Sequence, residues 1–155
     1  MKKLFLMLML AAISLGAFAQ TRQGGQQVGF NIGYAFDSEN ATLGVDYRYC
    51  LTDEFRLNPS LTYFAKNDGV SAWAIDMNAH YVFSLGSGFG FYPLGGLSLV
   101  FCKSGENTNK TRFGANIGLG GEFYATSQFT VGLDLKYNII KEDQAMFAVR
   151  VGYNF

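Results

Sequence analysis

The sequence predicts an all-β fold: a closed, eight-stranded, antiparallel up-and-down β-barrel. Beyond residue 20 the chain falls into eight segments of about eleven residues in which large apolar side chains alternate with small or polar ones, the period of a strand. Short turn-rich breaks join the segments. They permit only antiparallel neighbours, because a parallel pair needs a crossover of about a dozen residues. No segment repeats with a helical period, and a meander of eight strands can close on itself.

Residues 1–19 read as a cleaved signal peptide. Lys2 and Lys3 precede an apolar run of about fifteen residues that ends on Ala17-Phe18-Ala19. That run is shorter than the ~20 residues a membrane helix needs. Residues 20–155 then form one barrel domain.

The first strand, QVGFNIGYAF, carries Val28, Phe30, Ile32, Tyr34 and Phe36 on one face, and DSEN ends it. ATLGVDYRYCLT carries Leu43, Val45, Tyr47, Tyr49 and Leu51 before DE. FRLNPSLTYFAK carries Phe55, Leu57, Leu61 and Tyr63 before NDG. Its Pro59 has no N–H to give a ladder, which predicts a bulge or an unpaired position. SAWAIDMNAHYVF carries Trp73, Ile75, Met77, Tyr81 and Phe83 before SLGSG.

FGFYPLGGLSLVF keeps the phase at Phe91, Leu97, Leu99 and Phe101, but Tyr92, Leu94 and Val100 fall on the other face. Gly95-Gly96 predicts a bulge there, and KSGENTNKT reads as the longest loop. RFGANIGLGGEFYA carries Phe113, Ile117, Leu119 and Phe123; FTVGLDLKYNII carries Phe129, Val131, Leu133, Leu135, Tyr137 and Ile139. The last segment, AMFAVRVGYNF, stays in phase to Phe155. A closed barrel explains this, since its final strand must pair with its first.

Alternation alone does not say which face meets water. The polar face is mostly Gly, Ala and Asn, as Gly44, Ala74, Gly120, Asn58 and Asn116 illustrate. Small residues suit a lumen barely wide enough for side chains, and the bulky face would overfill it. Aromatics also gather at segment ends. Tyr49, Phe55, Phe83, Phe89, Phe123, Phe129 and Phe155 fall at one rim, and Phe36, Tyr63, Trp73, Phe101, Phe113 and Phe147 near the other, with aliphatic residues between. Two aromatic belts around an apolar band, on strands long enough to cross lipid, predict a transmembrane barrel with these residues facing lipid.

A signal peptide, an even set of amphipathic strands and a last strand with Tyr153 and Phe155 resemble Gram-negative outer-membrane barrels. RLNPSLTYF, WAIDMNAHYVF and YPLGGLSL resemble the small "porin family" barrel domain common in Bacteroidota, an OmpA-transmembrane-like fold. The resemblance implies an outer-membrane location, membrane lipid as the solvent of the outer wall, and Tyr153 and Phe155 as the signal read by the barrel-assembly machinery. It supplies no catalytic or ligand site to transfer.

The residues themselves place an ionic cluster in the lumen: Asp46, Arg48, Asp76, Glu122, Asp134, Lys136 and Arg150, with Arg56 and His80 on the same face. Arg150 and Asp134 lie on neighbouring strands. Charges in a narrow lumen must be paired or solvated, so the cluster reads as a plug that fills the barrel; a narrow passage for ions or small solutes is the alternative. A secreted lipocalin-like binder would need the opposite facing. Catalysis is not expected, because the single His80 points inward with no outward serine beside it. One His and two Cys make no zinc set, and no cofactor is expected. Twelve basic residues balance twelve acidic ones, which leaves no basic face for nucleic acid, and the chain is expected to act as a monomer. Cys50 and Cys102 fall at opposite ends of the barrel, too far apart for a disulfide.

Overall fold

The computed structural model describes residues 23–67, 69–86, 88–105, 108–140 and 143–155. The signal-peptide reading, residues 1–19, lies outside these. The described residues form nine strand segments: β1 (Gln26–Ala35), β2 (Asn40–Cys50), β3 (Phe55–Asn67), β4 (Val70–Tyr81), β5 (Phe83–Gly86), β6 (Phe89–Ser104), β7 (Thr108–Tyr124), β8 (Phe129–Ile139) and β9 (Gln144–Asn154). Every pairing is antiparallel, and β4 and β5 both pair with β6, so together they make one stave. The wall is therefore a closed ring of eight staves. Its seam is β1 against β9, from Gln27↔Asn154 to Ala35↔Met146. Beyond the last rung the Phe155 amide donates to the Gln26 carbonyl at 3.1 Å. The terminal Phe is pinned by closure, as its in-phase position predicts.

Both prolines thin the ladder without shifting it. Opposite Pro59 the β2–β3 rungs jump from Asp46↔Ser60 to Tyr49↔Leu57 in unchanged register. The Tyr47 carbonyl, which a residue with an N–H would have satisfied, accepts instead from Asn58 Nδ2 at 3.2 Å. A side-chain amide one residue away stands in for the missing donor. Pro93 does the same between β4 and β5, where the rungs pass from His80↔Leu94 to Phe83↔Phe91. Val82 stays tied on its other side, donating to the Glu54 carbonyl at 2.6 Å.

Two sequence expectations are corrected. Gly95 and Gly96 make no bulge: they pair in continuous register with Ile117 and Asn116. The irregular rungs lie at Phe64/Asn67 and Ser84/Gly86. KSGENTNKT is mostly ladder rather than loop, since β6 and β7 stay paired to Ser104↔Thr108. Polar, turn-forming residues read as a loop, yet a hairpin standing in water keeps its backbone rungs without needing an apolar face.

At the opposite end, two turns share one device. The Thr52 hydroxyl accepts from the amides of Glu54 and Phe55, and Thr126 accepts in the same way from Gln128 and Phe129. Each closes a T-x-x-F turn by a side-chain mimic of a backbone bond.

The barrel is inside out for a water-soluble protein. Phe30, Ile117 and Leu133 are about half exposed on the outer wall, whereas Arg48, Arg56 and Arg150 are each 1% exposed within. A soluble monomer rarely shows a contiguous apolar patch above a few hundred Å²; here the apolar surface runs all the way round. Cys50 is buried, Cys102 is half-buried, and no disulfide joins the two. Cys50 sits on the rung with Arg56 and Cys102 on the rung with Ala72, at opposite ends of the wall.

Candidate functional site: the ionic lumen

Alternation on each strand sends every second residue inward, and the ring brings them together. The tightest knot is centred on Glu122 of β7. Its carboxylate accepts from Arg56 Nη1 and Nη2, both at 2.8 Å, from Arg48 Nη1 at 2.9 Å and from the Tyr124 hydroxyl at 2.6 Å. Arg56 Nε donates to His80 Nδ1 at 3.0 Å. The His80 ring stacks on Tyr92, with centroids 4.6 Å apart and planes within 9°. Both guanidinium groups also lie over the Tyr92 ring, Arg56 at 4.5 Å and Arg48 at 5.1 Å.

Tyr92 is thus the platform of the knot, and its hydroxyl links two carboxylate systems. It accepts from Arg48 Nη2 at 2.9 Å and donates to Asp134. The ring lies flat because the wall beneath it is bare. A Cβ added at Gly120 would stand 2.2 Å from the Tyr92 ring.

A second pair fills the lumen beside the seam. Arg150 Nε donates to both Asp46 oxygens, at 2.8 and 3.0 Å, and Nη2 to one of them at 2.7 Å. Asn58 donates to the same carboxylate at 3.1 Å, and Arg150 Nη1 reaches Gln27 Oε1 at 2.5 Å. Gly29 and Gly152 make room, since a Cβ on either would fall 2.3 or 2.2 Å from the guanidinium. The sequence placed Arg150 beside Asp134; the structure gives it Asp46 instead, because those glycines let the side chain lie across β1 to β2.

The third pair is Lys136 with Asp76, whose carboxylate also accepts from Ser98 Oγ at 2.5 Å. Arg48, Arg56, Lys136 and Arg150 therefore face Asp46, Asp76, Glu122 and Asp134 across the described lumen. All seven lumen residues expected from sequence are brought together. Arg56 and His80 join them, and so does Tyr92, whose signal was an aromatic off the outward phase. Between the networks lies a chamber of about 50 Å³, lined in part by Asn31, Asp46, Asn58, Asp134 and Lys136.

Towards the opposite rim the lumen turns apolar. Ala35, Phe64, Ala74, Val100 and Met146 pack into a buried collar. Above it opens a cup of about 490 Å³.

On the outside, Tyr49, Phe55, Trp73, Phe83, Phe101, Phe113 and Phe129 are exposed, and Tyr63, Phe123 and Phe147 are half-exposed. Several pair across rungs: Tyr63 with Trp73 (ring centroids 4.7 Å apart), Phe89 with Phe123 (4.8 Å) and Phe129 with Tyr153 (5.5 Å), which in turn meets Phe155 at 6.2 Å.

The closed eight-stave barrel finds its counterpart in known proteins. The family model described as the outer membrane protein beta-barrel domain matches residues 5–155. The chain belongs to this outer-membrane β-barrel family. Among solved structures, the N-terminal β-barrel domain of Pseudomonas aeruginosa OprF superposes with a TM-score of 0.74 at 25% identity, covering 86% of this chain and 98% of that one. Yersinia pestis Ail gives 0.62 at 16% identity, over 86% and 99% of the two chains. Pseudomonas aeruginosa OprG gives 0.61 at 11% identity, over 88% and 98%. These last two share the fold. No curated protein sequence matches the chain.

Proposed function

We propose that the protein is a structural or interaction element of the outer membrane of a Gram-negative bacterium, with a lumen shut by its own ions. It is exported by residues 1–19 and works as a monomer. Its aromatic belts sit at the two lipid interfaces, and Tyr153 and Phe155 engage the barrel-assembly machinery. The observation that carries the reading is the Arg48–Glu122–Arg56 knot, which ties β2, β3 and β7 across the lumen with every member at most 3% exposed. An ion entering there must displace a buried charge from its partner, at a cost of several kcal/mol.

Planar-bilayer recording on the refolded mature protein tests it. The expected result is silence over hours, for the native chain and for Arg150→Ala. Regular unitary steps from the native protein would replace the plug with the second reading, a narrow solute passage. The chamber supports that reading, since beside it Asp134 and Lys136 keep 21% and 14% side-chain exposure.

A further inference from the structure

The outer wall is not evenly filled. A trough of about 450 Å³ crosses it over β7, β8 and β9. Its floor follows one unbroken line of rungs: Leu94↔Gly118, Gly118↔Lys136 and Lys136↔Met146. Leu94 and Met146 are buried on the lumen side, and Lys136 is bonded there to Asp76, so these residues meet the trough with backbone alone. Two rows of exposed, outward side chains bound it. Leu119 and Leu135 share a rung on one side, and Ile117 and Tyr137 share one on the other. The second row drops to a methyl group at Ala145, on the rung with Tyr137, before Phe36 ends it.

A polar guest finds no partner in this trough. The floor's amides and carbonyls face along the rungs, and the Tyr137 hydroxyl is bonded to Asp143. A second barrel would present a convex wall, which does not reach a backbone floor between two rows of side chains. Hydrocarbon surrounds the wall of an outer-membrane barrel, and a single chain of methylenes is narrow enough to lie between the rows. Lipid tails are as apolar as leucine, so packing alone separates the trough from the rest of the wall. A methylene on an even stretch touches protein on one side. In the trough it touches the floor and both rows, and each added carbon contact contributes a little dispersion attraction.

From the continuous backbone floor and the low point at Ala145, we infer that the trough holds one acyl chain of a bilayer phospholipid; this rests on the membrane reading of the outer wall. Barrel strands tilt by ~35–45°, so a line of rungs runs obliquely to the membrane normal and the chain lies aslant. It leaves towards the cup's rim over Ala145, between Tyr137 and Phe36. The site selects for a flexible hydrocarbon chain and is indifferent to the headgroup.

The test is photolabelling of the refolded protein in phosphatidylcholine vesicles. A small fraction of the lipid carries a diazirine in its acyl chain, and adducts are mapped by peptide mass spectrometry. Leucines are compared with leucines, so the reagent's preference among side chains cancels. Leu119 and Leu135 should carry at least about threefold more adduct than the exposed Leu43 and Leu61, three or four staves away; the excess is modest because only packing drives it. Ala145→Phe fills the low point and should bring the two sets level. Leu61→Phe, on the far side, should leave the excess unchanged. Leu135→Ala lowers the other row and should cut the excess at Leu119. Equal labelling of all four leucines in the native protein overturns the inference and leaves the membrane reading intact. An excess at Leu119 that survives both Ala145→Phe and Leu135→Ala overturns it as well. No adduct on any outward leucine would refute the membrane reading itself, and the acyl-chain site with it.

Discussion

Glu122→Gln is the perturbation that most directly tests the ionic knot. The substitution keeps the side chain's length and one carbonyl acceptor, but removes the carboxylate that both Arg48 and Arg56 grip at 2.8–2.9 Å. At an effective dielectric of about 20, each such contact is worth ~6 kcal/mol of gross attraction. In the native barrel most of that is offset by the cost of bringing the ions out of water. Gln removes the attraction and leaves the cost. Arg48 retains Asp46 and Asp134, each at 3.5 Å, but Arg56 is left with His80 and the Tyr92 face. The expected loss is therefore that of a broken buried pair, about 3–5 kcal/mol.

Urea unfolding in lipid vesicles, followed by heat-modifiable gel mobility, measures it. Asp134→Asn is the control, since that side chain is partly exposed and its ion pair is the longer one. It should lose only ~1 kcal/mol. A Glu122→Gln loss below about 1 kcal/mol, or one no larger than that of Asp134→Asn, would mean that water already solvates the knot. The reasoning from buried charge would then be refuted.

Two further tests, each with a paired variant, probe how the wall accommodates the lumen. Gly152→Ala places a methyl 2.2 Å from Arg150 Nη1 and should cost ~1–3 kcal/mol as the guanidinium is pushed from Asp46, whereas Gly121→Ala, whose nearest neighbour is 3.9 Å away, should be neutral within about 0.5 kcal/mol in the same unfolding assay. Asn58→Ala leaves the Tyr47 carbonyl without its side-chain donor and should cost ~1–3 kcal/mol. Adding Pro59→Val restores a backbone N–H, so the double variant should recover part of that loss; no recovery would disprove the substitution of amide for ladder.

The strands were legible because the alternation is nearly unbroken and a one-residue slip would turn every side chain round. The aromatic positions followed for the same reason: period fixes which face Trp73 and Phe113 occupy, whatever they contact. What periodicity cannot carry is reach. Arg150 passes over the adjacent Asp134 for Asp46 because Gly29 and Gly152 leave a channel along the wall. That depends on ring geometry rather than on spacing in the chain. Tyr92 was visible as an aromatic off phase, but its service to Arg48, Arg56, His80 and Asp134 needs four separate strands in place. The collar was hidden too, since Ala35, Phe64 and Met146 belong to different segments and each looks incidental alone. The β6–β7 hairpin was misread because composition reports a turn's polarity, not how far its rungs persist.

The seam has a topological consequence. With Phe155 tied to Gln26 and Gly24 tied to Cys50, the first and last strands leave the barrel side by side at a single rim. A short linker could join them, and a cut at the exposed Ser127 turn would give a circularly permuted chain with the same eight neighbours in the same cyclic order. The architecture is a necklace whose clasp can be moved.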